Sequence, residues 1–371
     1  MNPASRIVRK TWQRAATRLP FRHAPFAVHF PETVDFGTGA HHAPLGFSGL
    51  LLAELGNSYI IRPTVFADGK PGALANEDRT YATTEPTRRL FAMSDAGIIG
   101  AHGICYSPST RTAISETLES WDLSIDRHPV FSTPRLPAAR ALPGVSLSLA
   151  TLGGETFYHF LIESLPKLAL ARAFLPHIDQ LLVPRYIENA KTAWLRQLGF
   201  TQKIVWLDDL AHWRCEQLLF TNRLARHYEP NAWCVHTLRD FAATPAHNPS
   251  TGSALWLDRI GVANRATTWE REFAEQLPEL ESVDLGAIDP AQVLTRCSSA
   301  RIFAGLHGAA FANMVFSPPG AKIIELMQRA FHPFYARLAQ ACGHEHLVVR
   351  IPDADVGRTD TLAIVRKFIP L

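Results

Sequence analysis

Two short stretches bring together residue types that could do chemistry. In the second half, Arg301-Ile-Phe-Ala-Gly305-Leu-His307-Gly308-Ala-Ala-Phe-Ala-Asn313-Met runs an apolar strand into a turn of small residues and then a helix. Gly308 lets the backbone come close to a ligand, and the first helical amides have no partner within their own helix. Such a terminus favours a phosphate by about 0.3–1 kcal/mol from the dipole, with direct hydrogen bonds added. His307 stands at its mouth, placed either to donate to the same anion or to cap the turn. Glu325 falls near the carboxyl end of the following strand, where a carboxylate can accept both hydroxyls of a ribose or pair with a neighbouring cation. Arg259 follows the strand 254–258 and Arg265 lies in the loop beyond it, where guanidinium groups can fork onto a diphosphate.

The second stretch is Thr156-Phe-Tyr158-His159-Phe-Leu-Ile-Glu163-Ser-Leu-Pro166-Lys-Leu. His159 and Glu163 are four apart and share one helix face. A positioned base supplies typically about 10²–10⁴ in rate. Either His159 is that base, oriented by Glu163, or Glu163 acts directly. The alternative is an i, i+4 polar stripe of His159, Glu163 and Lys167 beside a core of Phe160, Leu161, Ile162, Leu165 and Leu168. Asp353-Ala-Asp355 has the spacing of a metal-binding pair but follows the last strand, and Asp208-Asp209 reads as a cap. Both are taken as structural, so no metal or other cofactor is expected.

The elements that must hold these residues alternate. Strands are expected at 145–152, 179–183, 203–207 and 217–221, with helices at 157–175, kinked at Pro166, and at 190–198. The run 242–253, rich in Ala, Pro, Ser and Thr, reads as a linker. A second alternating block follows, with strands at 254–258, 282–285, 301–305, 322–326 and 347–351 and helices at 269–276, 290–297, 309–316 and 334–342. The expected class is α/β, with two doubly wound units facing a cleft and binding ligands outside the carboxyl ends of their strands. Residues 25–130 are rich in Pro and Gly, and a strand is expected at 57–66 with Pro63 placing it at an edge, so a β-rich N-terminal extension is expected. The domain reading is 1–140 for the basic segment and extension, 141–247 and 248–352 for the two Rossmann-like domains, and 353–371 for a tail or helix.

The segment from Gln292 through His307-Gly308 to Ser317-Pro-Pro-Gly320 and Glu325-Leu resembles the signature of glycosyltransferase family 61. The aromatic-His helix at Tyr158-His159 and the strand Leu255-Trp-Leu-Asp-Arg259 are similar to that family as well, and the resemblance covers roughly residues 145–350. Thr156 stands where the family often has asparagine, and its paired arginines are reduced here to Arg259 and the later Arg265. The resemblance implies a GT-B-like fold and an inverting transfer from a nucleotide sugar. It implies catalytic roles for His159 and Glu163, and donor contacts from Arg259, Arg265, His307, Gly308, Asn313 and Glu325. It also implies a UDP-sugar donor and a glycan or lipid-linked glycan acceptor, in cell-surface polysaccharide biosynthesis. A non-catalytic nucleotide-sugar-binding subunit of a polysaccharide assembly complex would keep the His307–Glu325 segment but would not need an aligned His159/Glu163 pair.

Composition bounds the rest. A chain of 371 residues has room for two or three domains, and a net charge of +3 argues for no nucleic-acid partner. No apolar run approaches the roughly 18 residues of a membrane span, no signal-peptide pattern opens the chain, and the five scattered cysteines make no C-x-x-C pair. A reduced, cytoplasmic setting is expected. Arg6, Arg9, Lys10, Arg14, Arg18 and Arg22 all precede the first acidic residue, Glu32. With Val8, Trp12, Ala15 and Leu19 opposite, residues 6–22 are either a basic amphipathic helix for the inner face of the plasma membrane or a solvated arm. No G-x-G-x-x-G follows a strand, which argues against a nicotinamide enzyme.

Overall fold

A computed structural model of the chain describes residues 47–50, 58–61, 65–66, 81–84, 88–109, 112–119, 136–225, 230–243, 252–259, 269–327, 332–351 and 358–369. The basic segment 6–22, Arg265 and the Asp353/Asp355 pair lie outside these residues. The strands are β1 (Phe47–Leu50), β2 (Ser58–Ile61), β3 (Val65–Phe66), β4 (Tyr81–Thr84), β5 (Leu90–Ile99), β6 (Ile104–Ser107), β7 (Thr112–Ala113) and β8 (Arg140–Ser148). They continue as β9 (Gln180–Pro184), β10 (Lys203–Leu207), β11 (His212–Thr221), β12 (Ser253–Leu257), β13 (Glu281–Val283), β14 (Ala300–Leu306), β15 (Lys322–Met327) and β16 (Glu345–Arg350).

The class is α/β, as the alternation predicts. Residue contacts divide the chain into two compact units, each assembled from three stretches where the sequence suggested contiguous blocks. One holds Met1–Leu55, Pro86–Glu188 and Thr201–Leu224; the other holds Gly56–Glu85, Asn189–Phe200 and Ala225–Leu371.

The first unit carries a sheet ordered β10-β9-β8-β11-β5-β6-β7, with β1 also paired to β5. It is mixed rather than wholly parallel: β8–β11 run parallel, whereas β5 pairs antiparallel with β11, β6 and β1. The N-terminal residues are therefore not an added extension, since β1, β5, β6 and β7 form half of this sheet. The run 57–66 is split into β2 and β3, which pair with different partners. Pro63 lies outside the described residues. All five residues of β9 are buried, the continuous apolar pattern of a strand covered on both faces. Phe91, Ile98, Leu182, Leu207, Leu218 and Phe220 belong to the core of this sheet.

The second unit carries a wholly parallel sheet, β13-β12-β14-β15-β16-β3. Trp256, Phe273, Ile302, Ile324, Val349 and Val365 lie in its core. Three helical elements depart from expectation. The stretch 157–175 is not one kinked helix: Phe157–His159 is α-helical, Phe160–Ser164 is a π-helix closed by Leu165 N–H to the Phe160 carbonyl at 3.0 Å, and Lys167–Leu170 resumes the α-helix. Pro166 has no N–H and its ring crowds the carbonyl four residues before, so the helix widens rather than continues. Ala309–Phe316 is a 3₁₀ rather than an α segment, opened by Phe311 N–H to the Gly308 carbonyl at 3.1 Å. Asn313 Nδ2 donates to the Ala310 carbonyl at 2.9 Å, occupying the oxygen that an α-helix would offer to residue 314. Ala232–Ala242 is a helix with no counterpart in the sequence reading; Asn231 caps it by accepting from Cys234 N–H at 3.0 Å.

All five cysteines are buried free thiols. Burial pushes Cys215 up to about 11 and Cys342 up to about 12, which leaves these thiols protonated at neutral pH. Among the described residues no helix is long and apolar enough to cross a membrane.

Gly305 marks where β14 and β12 approach closely, because a Cβ there would stand 2.9 Å from the Leu257 carbonyl oxygen. Gly305→Ala should therefore destabilise the protein by about 1–3 kcal/mol, as overpacking does. Chemical denaturation would show this as a lower midpoint with an unchanged slope; an unchanged midpoint would mean that the two strands can move apart freely.

Candidate functional site

In the second unit the register of three parallel strands assembles a polar cluster. Gly305 pairs with Glu325 across β14 and β15, and Ile323 pairs with His346 across β15 and β16. Because strand side chains alternate, Glu325 and His346 are diagonal neighbours on one face, and His307 lies two residues beyond Gly305. His307 Nδ1 is hydrogen-bonded to Glu325 Oε1, and His346 Nε2 donates to Glu325 Oε2 at 2.8 Å. The Glu325 side chain is fully buried. Burial by itself would raise its carboxyl, but the two imidazoles outweigh that cost and hold it at about 2. The backbone N–H of His307 donates to the Leu326 carbonyl at 2.9 Å, and its ring packs edge-on to Tyr335 at 5.0 Å.

Arg259 and Gly308 meet. A Cβ on residue 308 would stand 2.8 Å from Arg259 Nε and 3.0 Å from its Cδ, so only glycine admits the guanidinium stem there. Arg259 Nη1 donates to the His307 carbonyl, and the Arg259 backbone N–H donates to Glu270 Oε1 at 3.1 Å. Behind the site, Trp194 stacks on Phe316 with ring centroids 5.2 Å apart. Arg239 ties the end of the 3₁₀ segment down by donating to the Val315 carbonyl at 2.7 Å and the Ser317 carbonyl at 2.8 Å.

The second unit thus brings Arg259, His307, Gly308 and Glu325 together, while Arg265 lies outside the described residues. Two placements change the reading. The sequence admits Glu325 either as a ribose acceptor or as the partner of a neighbouring cation; both its oxygens are engaged by imidazoles and shielded from solvent, which matches the second of these. Asn313, expected at the donor, is turned inward, with its amide nitrogen pinning the 3₁₀ turn and its Oδ1 buried. His346 was missed; the only signal for it was its alternation position on the last strand, which carries meaning once the register with Glu325 is known.

In the first unit, Thr151, the third residue after β8, faces the irregular helix. Glu163 Oε1 is 2.9 Å from His159 Nδ1, and Glu163 Oε2 accepts from the Thr151 hydroxyl at 3.1 Å. Both side chains are buried, at 10% and 7% exposure, so this is no solvated stripe. Burial would raise the Glu163 carboxyl, but His159, Arg223 and the Thr151 hydroxyl together hold it below its ordinary range. An ionised Glu163 at Nδ1 leaves the ring lone pair on Nε2, the arrangement of an oriented base. One helical turn on, Lys167 is buried and donates to the Ala150 carbonyl; burial lowers its ammonium, opposed by Glu119 and Glu163. A pocket of about 10 Å³, room for a single water or hydroxyl oxygen, is lined among others by Glu116, Glu119, Thr151 and Lys167. The contributions of Thr151 and Glu119 were not legible in the sequence, because neither shares a spacing with His159.

Among the described residues no group of three or more His, Cys, Asp or Glu has the arrangement of a metal site. Asp208 accepts from Leu210 N–H at 2.9 Å, the local cap expected of it.

The Glu325 carboxyl lies lower in the folded protein than its ordinary 4.5, so its pairing stabilises the fold above that pH and is lost as pH falls towards about 2. Glu325→Ala should cost on the order of 3–5 kcal/mol at pH 7, because two buried imidazoles lose their partner. In urea unfolding, its deficit relative to wild type should narrow once the pH is taken below the carboxyl's ordinary value; an equal deficit at every pH would assign the loss to packing alone.

The family model described as Glycosyltransferase 61 matches residues 157–324. That span begins with the helix carrying His159 and takes in Arg259, His307 and Gly308, and it ends one residue before Glu325. Comparison with curated proteins gives no match. The chain carries a glycosyltransferase family 61 domain and is a glycosyltransferase.

Proposed function

We propose that the chain transfers a sugar from a nucleotide-sugar donor, a UDP-sugar first among candidates, to a hydroxyl of a glycan acceptor with inversion at the anomeric carbon. The observation that carries this reading is the buried His159–Glu163 pair. His159 rather than Glu163 is the base in this reading, because the Glu163 oxygens already receive His159 and Thr151. The acceptor oxygen bonds to the anomeric carbon as its proton passes to His159 Nε2. The bond from that carbon to the donor diphosphate breaks, and its electron pair leaves on the diphosphate oxygen. Proton transfer to a positioned base is worth about 10²–10⁴ in rate.

The leaving diphosphate needs positive charge. Arg259, His307 and the first amides after Gly308 supply it, so the proposal includes no divalent metal. Glu325 serves this site by orienting His307 rather than by touching ribose. The reading requires the His159 and His307 constellations to serve one donor–acceptor pair, which is the GT-B arrangement the sequence suggested. A cell-surface polysaccharide or a lipid-linked precursor is the proposed acceptor class, consistent with a cytoplasmic enzyme whose basic residues 6–22 sit at the membrane.

The test begins with thermal shifts against UDP-, GDP-, CMP- and dTDP-sugars, with and without chelator. A ligand at a hundred times its dissociation constant should stabilise by about 2.7 kcal/mol. One class should do so, unaffected by chelator and much reduced in His307→Ala and Arg259→Ala; no shift with any of them would remove the donor site. His159→Gln and Glu163→Gln should keep that shift while turnover falls by roughly 10²–10⁴ for the histidine. Full activity in both variants would move the base elsewhere.

A further inference from the structure

Orienting His307 needs one oxygen of Glu325, yet two imidazoles share that carboxylate. His346 donates to Oε2 from a side chain that is 5% exposed, against 11% for His307. The two rings differ in where a second proton could go. His346 Nδ1 is buried and has no hydrogen-bond partner among the described residues, so a proton there would create an unpaired N–H on a buried cation. On His307 the Nδ1 is already bound to Glu325, and the ring is flanked by Tyr335 at 5.0 Å and His332 at 6.1 Å, with the Arg259 guanidinium on its carbonyl. Glu325 from β15, His346 from β16, His332 and Tyr335 from the segment after β15, and Arg259 after β12 are titratable or charged groups that contact this cluster.

We propose that His346 is a positioning residue: a neutral hydrogen-bond donor that holds Glu325 against His307 and moderates how strongly that carboxylate draws a proton onto His307. This rests on reading His307 as a group that meets the donor diphosphate. Each hydrogen bond accepted by a carboxylate makes it a weaker base. With the His346 donor in place, Glu325 orients His307 without locking it as a cation, so the ring can bind a diphosphate and then release it. Without that donor the Glu325–His307 pair holds its proton more tightly, and His307 stays cationic to higher pH.

Imidazole nitrogen NMR tests this without any ligand, with the His307 signals assigned by their loss in His307→Ala. In the wild type at neutral pH, the His346 nitrogens should report a proton on Nε2 and none on Nδ1; a proton on both would overturn the proposal. His346→Leu should move the pH midpoint of the His307 signals upward by about one unit, a tenfold change in proton affinity. His346→Gln, which restores an N–H donor, should return it most of the way. An equal rise in both variants would make His346 a competing cation, and no rise in His346→Leu would leave it a packing residue; either result overturns the proposal. Calorimetric binding of pyrophosphate and UDP to the same proteins separates the two readings. If wild type binds neither, the donor assignment of His307 fails while the NMR midpoints still decide the role of His346. If wild type binds them, His346→Leu should retain that affinity to higher pH.

Discussion

Glu325 is an ionised carboxylate with no access to water, and a charge in that position is tolerable only if every oxygen finds a donor. Two imidazoles provide them, one from the turn after β14 and one from β16. That demand organises the carboxyl end of the second sheet. Three strands must keep their register for His307, Glu325 and His346 to share a face, and Gly305 must stay small for β14 to sit against β12. The turn at Gly308 must also leave room for Arg259, whose guanidinium closes the His307 carbonyl from the other side.

The first unit solves the same problem with different parts. Glu163 is buried, it too accepts from a histidine Nδ1, and its second oxygen is bound by a hydroxyl rather than a second imidazole. A buried glutamate on Nδ1 fixes the orientation of the ring, so in each unit a histidine is oriented by a carboxylate. The second partners differ in kind: beside His159, Glu163 has Thr151, which cannot titrate, and the Arg223 cation nearby. The second unit relies on a titratable one.

The irregular helices follow from the same requirements. A π-helix over Phe160–Ser164 and a 3₁₀ segment over Ala309–Phe316 replace regular turns beside the two histidines. Pro166 withholds an N–H in the first case, and the Asn313 amide occupies a backbone carbonyl in the second. Both departures are local and have a side-chain cause.

Much of this was legible in the chain itself. The alternation of apolar runs and helices gave the α/β class and most element positions, because periodicity reports burial directly, and the spacing of His159 and Glu163 placed them on one face. The His307-Gly308 turn announced a strand end where backbone must come close to something, and the structure shows that the close neighbour is Arg259. What the sequence could not reveal was pairing between distant segments. Nothing in residues 25–130 shows that β5 lies antiparallel to β11 and completes the first sheet. Nothing near Glu325 shows that His346, twenty-one positions on, takes its second oxygen. The sequence by itself determined which residues could be acid, base or anion ligand and which local element each would ride on, since those depend on side-chain chemistry and short-range sterics. Only the tertiary structure decided which of them are buried together, and therefore which keep their charge, because register and packing bring groups within hydrogen-bonding distance irrespective of their separation along the chain.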